Sequence, residues 1–172
     1  MSAFWIAIPI FLIRYCLLGV LSKESLRRAS YFAPLVGIEK VAYGVYQITT
    51  ILTLICLFLL KVETQTEWFF IGLVILVVGI IIYTISIVNF AEPEESGVNV
   101  KGLYQVSRNP MYIGYFIYFL GSSIITCSWI LFSILLIFQI SAHWIILSEE
   151  RWCLAHFGCE YRQLMNNVRR YI

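Results

Sequence analysis

Five stretches of lipid-soluble residues, at 3–21, 41–60, 68–90, 111–126 and 129–147, occupy most of this 172-residue chain. Hydrocarbon offers no partner for a backbone N–H or C=O, so a segment that crosses it must be a helix or part of a closed barrel. A spanning helix needs about 20 apolar residues. The first, second, third and fifth stretches meet that length. The fourth is shorter, so it crosses a thinned region or forms a re-entrant hairpin with the fifth. With 60% hydrophobic and only 13% charged residues, a soluble domain of this size could not hide its apolar surface. The expected fold is therefore an all-α integral membrane protein. It has about five transmembrane helices, a C-terminal helical hairpin and a helical tail. No repeat or low-complexity tract divides it. We read residues 1–172 as a single membrane domain, with three helices over 1–90 and a loop, hairpin and tail over 91–172. The first stretch has no basic region before it and no clear small-residue cleavage site after it, so it reads as a retained helix rather than a signal peptide.

The basic residues orient this chain. Lys23, Arg27, Arg28, Lys40, Lys101, Arg108, Arg151, Arg162, Arg169 and Arg170 fall in connections on one side, whereas Lys61 stands alone on the other. Lys and Arg accumulate in cytoplasmic loops, which predicts an outer N-terminus and a cytoplasmic tail. Arg14 lies inside the first stretch and reads as a side chain directed to the interface. The net charge of +2 is what membrane orientation produces, and Glu92, Glu94 and Glu95 interrupt any basic patch, so nucleic acid is not an expected partner. Cys16, Cys56, Cys127, Cys153 and Cys159 show no metal-ligand spacing. Cys153 and Cys159 fall on the reducing side, where a disulfide is not expected, and they read as small packing residues.

Gly72 and Gly79 lie seven apart, as do Gly114 and Gly121, so each pair marks one helix face. Small residues on one face let helix backbones approach closely in lipid. The loop at 91–100 is broken by Pro93 and Gly97. In the tail, Phe157, Tyr161 and Leu164 recur at i, i+4, i+7, so one face can lie on the bundle or the membrane.

Two polar clusters flank the hairpin, at 101–114 and 149–170. Polar and charged groups beside hydrocarbon are costly and usually mark a site. Asn109-Pro110 is a helix start, with Asn suited to the N-cap and Pro to the first helical position. The free N–H groups of such an end attract anions, and Arg108 adds a fixed positive charge. Glu149 and Glu150 sit where the fifth stretch leaves the membrane. Adjacent helical residues point about 100° apart, so one acid is expected to face inward, toward a cation or amine, while the other stays solvated. His143 lies two turns earlier within the same stretch. Asn89 ends the third stretch on the side of the clusters.

Together these residues resemble the isoprenylcysteine carboxyl methyltransferase family and the related membrane phospholipid methyltransferases. The matching pattern is Gly102-x-Tyr104-x-x-x-Arg108-Asn109-Pro110-x-Tyr112-x-Gly114, then a hairpin, then Glu149-Glu150, Phe157-Gly158, Tyr161 and Val168-x-Arg170. The first three stretches match only in hydropathy. The resemblance implies S-adenosylmethionine held at the cytoplasmic face between the last two helices and the tail. Tyr104, Asn109, Pro110, Met111 and Tyr112 would line it. Ser96, Gly97, Val98 and Asn99 would cover it, with Asn89 nearby. Glu149 matches the acid that holds the cofactor, Glu150 is the adjacent candidate, and Arg170 matches the basic residue of the tail. Two positions depart from the family: Asn109 stands where members commonly have His, and Ile145 stands where the carboxyl methyltransferases carry an Arg that engages a substrate carboxylate.

The expected activity is methyl transfer to a lipophilic acceptor, either a lipid-modified or small hydrophobic molecule or a membrane lipid. Arg108, Glu150, Arg170 and His143 are the candidate catalytic groups. A carboxylate acceptor needs no base, whereas an amine must lose a proton, which His143 or a glutamate could take. Two other classes share parts of the pattern. An NADPH-dependent membrane reductase would also use Arg108 at a helix start, though such enzymes usually carry more helices. A small transporter or scaffold would explain the helices but not the concentration of polar residues at one end. No Gly-x-Gly supports a soluble dinucleotide site.

Overall fold

The computed structural model describes residues 2–93 and 97–171. Among these the chain is helical, with one isolated bridge between Ser2 and Lys61. The first span, α1, covers Ala3–Leu21. The short α2 is Lys23–Ala29, α3 is Ile38–Leu59, and α4 is Trp68–Ala91. A 3-10 turn at Gly102–Gln105 precedes α5, Pro110–Ile125, and then α6, Trp129–Asn167. Helices α1, α3, α4 and α6 are long and apolar enough to cross a membrane, and α5 is a shorter apolar helix. The chain is an all-α integral membrane protein, as its composition implies.

The helices alternate in direction, which gathers the polar connections at one end. There Ser25 Oγ donates to the Ala91 carbonyl (3.3 Å), Arg28 Nη2 to the Gly97 carbonyl (3.1 Å), and the Arg108 N–H to the Arg169 carbonyl (3.0 Å). At the opposite end the Ala3 N–H bonds the Leu60 carbonyl and the Glu63 N–H bonds the Ile125 carbonyl. Apolar side chains of α4 such as Phe70, Val74 and Ile81 remain exposed, as a lipid-facing surface must.

The tightest helix pair is α4 against α5, and glycine makes it so. A Cβ at Gly79 would stand 2.3 Å from the Tyr118 nitrogen, one at Gly114 would stand 2.6 Å from the Tyr83 nitrogen, and one at Gly121 would stand 2.4 Å from the Leu76 nitrogen. At Gly72 a Cβ would meet the Ile125 side chain at 2.5 Å and its nitrogen at 3.0 Å. Backbone thus lies on backbone along the full pair, which lets dispersion contacts stand in for the hydrophobic drive that lipid removes. Gly114, one turn past the polar cluster, is a packing glycine.

The turn between α5 and α6 is three residues long. Cys127 takes a positive φ of 48°, and Ser128 caps α6 by accepting the Leu131 N–H. The helix of the fifth stretch runs on past its apolar part into the tail, and a second helical piece follows a kink. The break is Gly158 (φ 53°, ψ −118°), where a left-handed backbone excludes most other residues. Beyond the break, Tyr161 and Leu164 pack with Val98 and Val168, and Phe157 flanks them. The apolar face read from the i, i+4, i+7 spacing therefore lies on the 97–100 loop.

Replacing Gly79 or Gly121 with Leu should force α4 and α5 apart and lower stability by about 1–3 kcal/mol or more. Gly44→Leu, where an added Cβ meets nothing within 4 Å, should leave stability near wild type. Thermal unfolding in a maltoside detergent measures both, and equal midpoints for the Gly79 and Gly44 variants would exclude this packing account.

Candidate functional site

Asn109 and Pro110 start α5 as their residue types suggest, with Pro at the first helical position. The Asn109 side chain does not cap, however, contrary to its expected role. Its Nδ2 donates instead to the Arg170 carbonyl (3.1 Å), and Ser107 Oγ donates to the same oxygen (3.2 Å). The Asn109 N–H returns to Ser107 Oγ (3.1 Å). The loop before α5 is thereby stitched to the tail. The cause is geometric: the extended chain after Val168 runs beside the helix start and presents carbonyls that outcompete the capping bond.

Charge reinforces that seam. Glu150 is 4% exposed and accepts from Arg170 Nε (3.0 Å) and Nη2 (2.7 Å). Arg108 Nη2 stands 2.8 Å from Glu150 Oε1, too oblique for a hydrogen bond, so Oε1 and Arg108 Nε keep unused bonding capacity. The Glu150 carboxylate beside Arg170 raises the guanidinium pKa further, mainly through the hydrogen bond. Arg108 was expected to offer positive charge to a ligand anion; here its nearest anion is the chain's own Glu150. Nor does either acid of the pair stay free in solvent, as one was expected to. Glu150 is sealed by two arginines, and half-buried Glu149 turns toward α5, where its Oε1 accepts from the Tyr112 hydroxyl (3.2 Å).

Glu149 keeps one side-chain hydrogen bond, from Tyr112, among the described residues. Two groups of the loop before α5, one of them within charge range of Glu149, have unmet bonding capacity among the described residues. The Tyr104 hydroxyl has no hydrogen-bond partner, and burial followed by the Glu149 charge pushes it above its ordinary range, so it remains an O–H donor. The carbonyl oxygen of Asn99 is also unpartnered. Such groups are costly to bury unless something binds them.

The remaining candidates divide by role. Asn89 accepts the Leu103 N–H (3.1 Å) and packs on Gly102, where a Cβ would stand 2.2 Å from its Oδ1; it shapes the loop that carries Tyr104. Gly97 has φ 88°, rests on Phe157 and offers its carbonyl to Arg28. Val98 is buried in the tail cluster and Met111 flanks the main core. Ser96 lies outside the described residues. His143 Nδ1 is 2.8 Å from the Tyr171 hydroxyl, a contact that anchors the tail. Ile145 is wholly buried.

Sequence reasoning missed four contributors. Arg28 reaches Gly97 and lies 5.0 Å over the Phe90 ring. Arg151 clamps Glu39 through Nη1 (2.5 Å) and Nη2 (2.7 Å), fixing α6 to the start of α3. Arg14 reaches toward the polar end. Its Nη2 donates to the Ala29 carbonyl at the end of α2 (2.7 Å), from within a π-helical segment at Leu12–Leu17. The intramembrane position of Arg14 was the one available signal. Tyr83, 1% exposed, had none, because an aromatic residue in an apolar run looks like core.

Fold and polar end together define a membrane-embedded helical protein whose last two helices, 97–109 loop and tail converge on one polar cluster. A family model described as phospholipid methyltransferase matches residues 68–160. The chain belongs to that family and is by that membership a membrane methyltransferase. No curated protein matches, and no solved structure matches.

Glu150→Ala should destabilise the protein by about 3–5 kcal/mol, because it strands buried Arg108 without a partner. It should also release the tail. Denaturant titration and trypsin cleavage after Arg169 provide the two readouts; an unchanged midpoint together with an unchanged cleavage rate would rule out the charged seam as the tail's anchor.

Proposed function

We propose that this chain transfers a methyl group from S-adenosylmethionine to a lipid-borne acceptor that enters from the bilayer. The observation that carries the reading is Glu149: a half-buried carboxylate with one hydroxyl partner, on the α5-facing side of α6, within a family of methyltransferases. The orphaned buried atoms fit the cofactor's chemistry. Glu149 suits an ammonium, Arg108 Nε a carboxylate, the Tyr104 hydroxyl an acceptor atom, and the Asn99 carbonyl an amino group. When bound, S-adenosylmethionine supplies a methyl group already activated on its sulfonium. What is left to the protein is alignment and exclusion of water.

In this reading Glu149, Tyr104, Asn99 and Tyr112 bind and orient. Glu150 and Arg170 keep the wall closed by joining α6 to the tail. Asn109 and Pro110 set the start of α5, so that Tyr112 faces Glu149. The 97–100 loop, pressed on Phe157 and Tyr161, covers the site. A carboxylate acceptor would meet no Arg at Ile145, so the methylated group need not be a prenylcysteine carboxylate. The excess of Lys and Arg at the polar end places the site, in this reading, at the cytoplasmic face.

Glu149→Gln should weaken S-adenosylhomocysteine at least tenfold by calorimetry, and Tyr104→Phe should weaken it several-fold, with both variants folded. Equal affinity in wild type and Glu149→Gln would remove the carboxylate from the site. Thermal-shift titration with S-adenosylhomocysteine against NADPH then separates methyl transfer from reduction; stabilisation by NADPH alone would favour the reductase. Methyl-labelled S-adenosylmethionine incubated with protein and native lipid extract should yield a labelled, chloroform-soluble product.

A further inference from the structure

Arg14 is a charge within a candidate membrane span and, among the described residues, has no ion-pair partner. It stands seven residues before the end of α1 at Leu21, roughly 10 Å from that end at 1.5 Å per residue. A charged side chain at such depth is expensive and by default functional. Among the described residues it makes no ion pair, and its one hydrogen bond goes to the Ala29 carbonyl. A guanidinium has five N–H donors in a planar fork suited to oxyanions, so most of its donors remain available.

Local structure turns those donors toward the site. The π-helical segment at Leu12–Leu17 places Arg14 in mid-turn, and π turns inside helices concentrate at functional positions. The guanidinium is within charge range of the hydroxyls of Tyr83, Tyr46 and Tyr112, and Glu149 senses its charge in turn. These groups come from α4, α3, α5 and α6, so Arg14 faces the middle of the bundle. The Tyr83 hydroxyl, beside Arg14 but outside hydrogen-bonding geometry with it, is buried and unpartnered. A fork of unused donors beside an unused hydroxyl, across from Glu149 and Tyr112, is a pair of groups prepared for an anion.

We propose that Arg14, assisted by the Tyr83 hydroxyl, binds the oxyanion of the lipid acceptor and so selects acceptors that carry one. This rests on the methyl-transfer reading for the word acceptor, but the anion site itself does not depend on it. A phosphate and a carboxylate share the required chemistry. Charge-assisted, bidentate contact with either is the strongest bond an Arg makes. The site would hold the acceptor's anionic group while its reactive atom lies toward Glu149 and Tyr112, which makes Arg14 a specificity-determining residue rather than a catalytic one.

Native mass spectrometry of the full chain in neutral detergent tests this with three short-chain lipids: dioctanoyl phosphatidylethanolamine, N-acetyl-farnesylcysteine and dioctanoylglycerol. Wild type should bind at least one oxyanion-bearing lipid about tenfold more tightly than dioctanoylglycerol, and which one it prefers distinguishes phosphate from carboxylate. Arg14→Gln should abolish that preference without changing dioctanoylglycerol binding, Arg14→Lys should keep part of it, and Tyr83→Phe should reduce it several-fold. A role limited to holding Ala29 would lower all three affinities together and would overturn the proposal, as would an intact preference in Arg14→Gln. Should Arg14→Gln fail to fold, Arg14→Lys and Tyr83→Phe carry the same comparison, and unchanged preference in both refutes it. S-adenosylhomocysteine binding, measured in parallel, keeps the two readings apart: an Arg14-dependent preference in a protein that binds no S-adenosylhomocysteine upholds the anion site and rejects methyl transfer.

Discussion

The Glu150 carboxylate between Arg108 and Arg170 holds three separate parts of the chain in one place. Arg108 comes from the loop before α5, Glu150 from the middle of α6, and Arg170 from the tail. Removing three charges from water is costly, and their mutual attraction offsets that cost only where the geometry is close. Here the backbone assists. The Arg169 and Arg170 carbonyls accept from Arg108, Ser107 and Asn109, so charge and main chain lock the same seam. Without that seam the tail has no reason to fold back, and the 97–100 loop loses the Tyr161, Leu164 and Val168 surface on which it rests.

A second constraint works from the membrane side. The glycine stripe brings α4 and α5 into backbone contact, and this rigid pair sets where Tyr83, Asn89 and Tyr112 stand. The polar cluster is thus bounded by a tightly packed helical wall on one side and by a charged, loop-borne wall on the other. The arrangement suits a reaction in which positioning and dryness do most of the catalysis.

Much of this was legible in the residues. Apolar stretches of bilayer length marked the helices because hydrocarbon leaves the backbone no alternative. The seven-residue glycine spacing marked the packed face, and Asn-Pro marked the start of α5 because a missing N–H is harmless only there. Other features were not readable. Asn109 was expected to cap, yet a carbonyl 61 residues away claims its amide. Neighbouring Glu149 and Glu150 were expected to divide between bundle and solvent. Both are instead drawn inward, because α6 continues past the membrane end and two arginines from elsewhere in the chain meet one of the acids. Arg14 was expected to reach toward the interface, and it finds the Ala29 carbonyl at that end, but the π segment that carries it has no recognisable sequence signal.

By itself, then, the amino-acid order determined that this is a helical membrane protein with its polar chemistry gathered at one end, since hydropathy and helix period act locally and leave no other solution in lipid. Which carboxylate is free and which is sealed, whether an arginine faces lipid or the bundle, and what the tail covers were decided only in three dimensions. Those outcomes depend on partners far apart in the chain, and the strength of a charge or hydrogen bond is set by the distance and burial of a neighbour that no local pattern records.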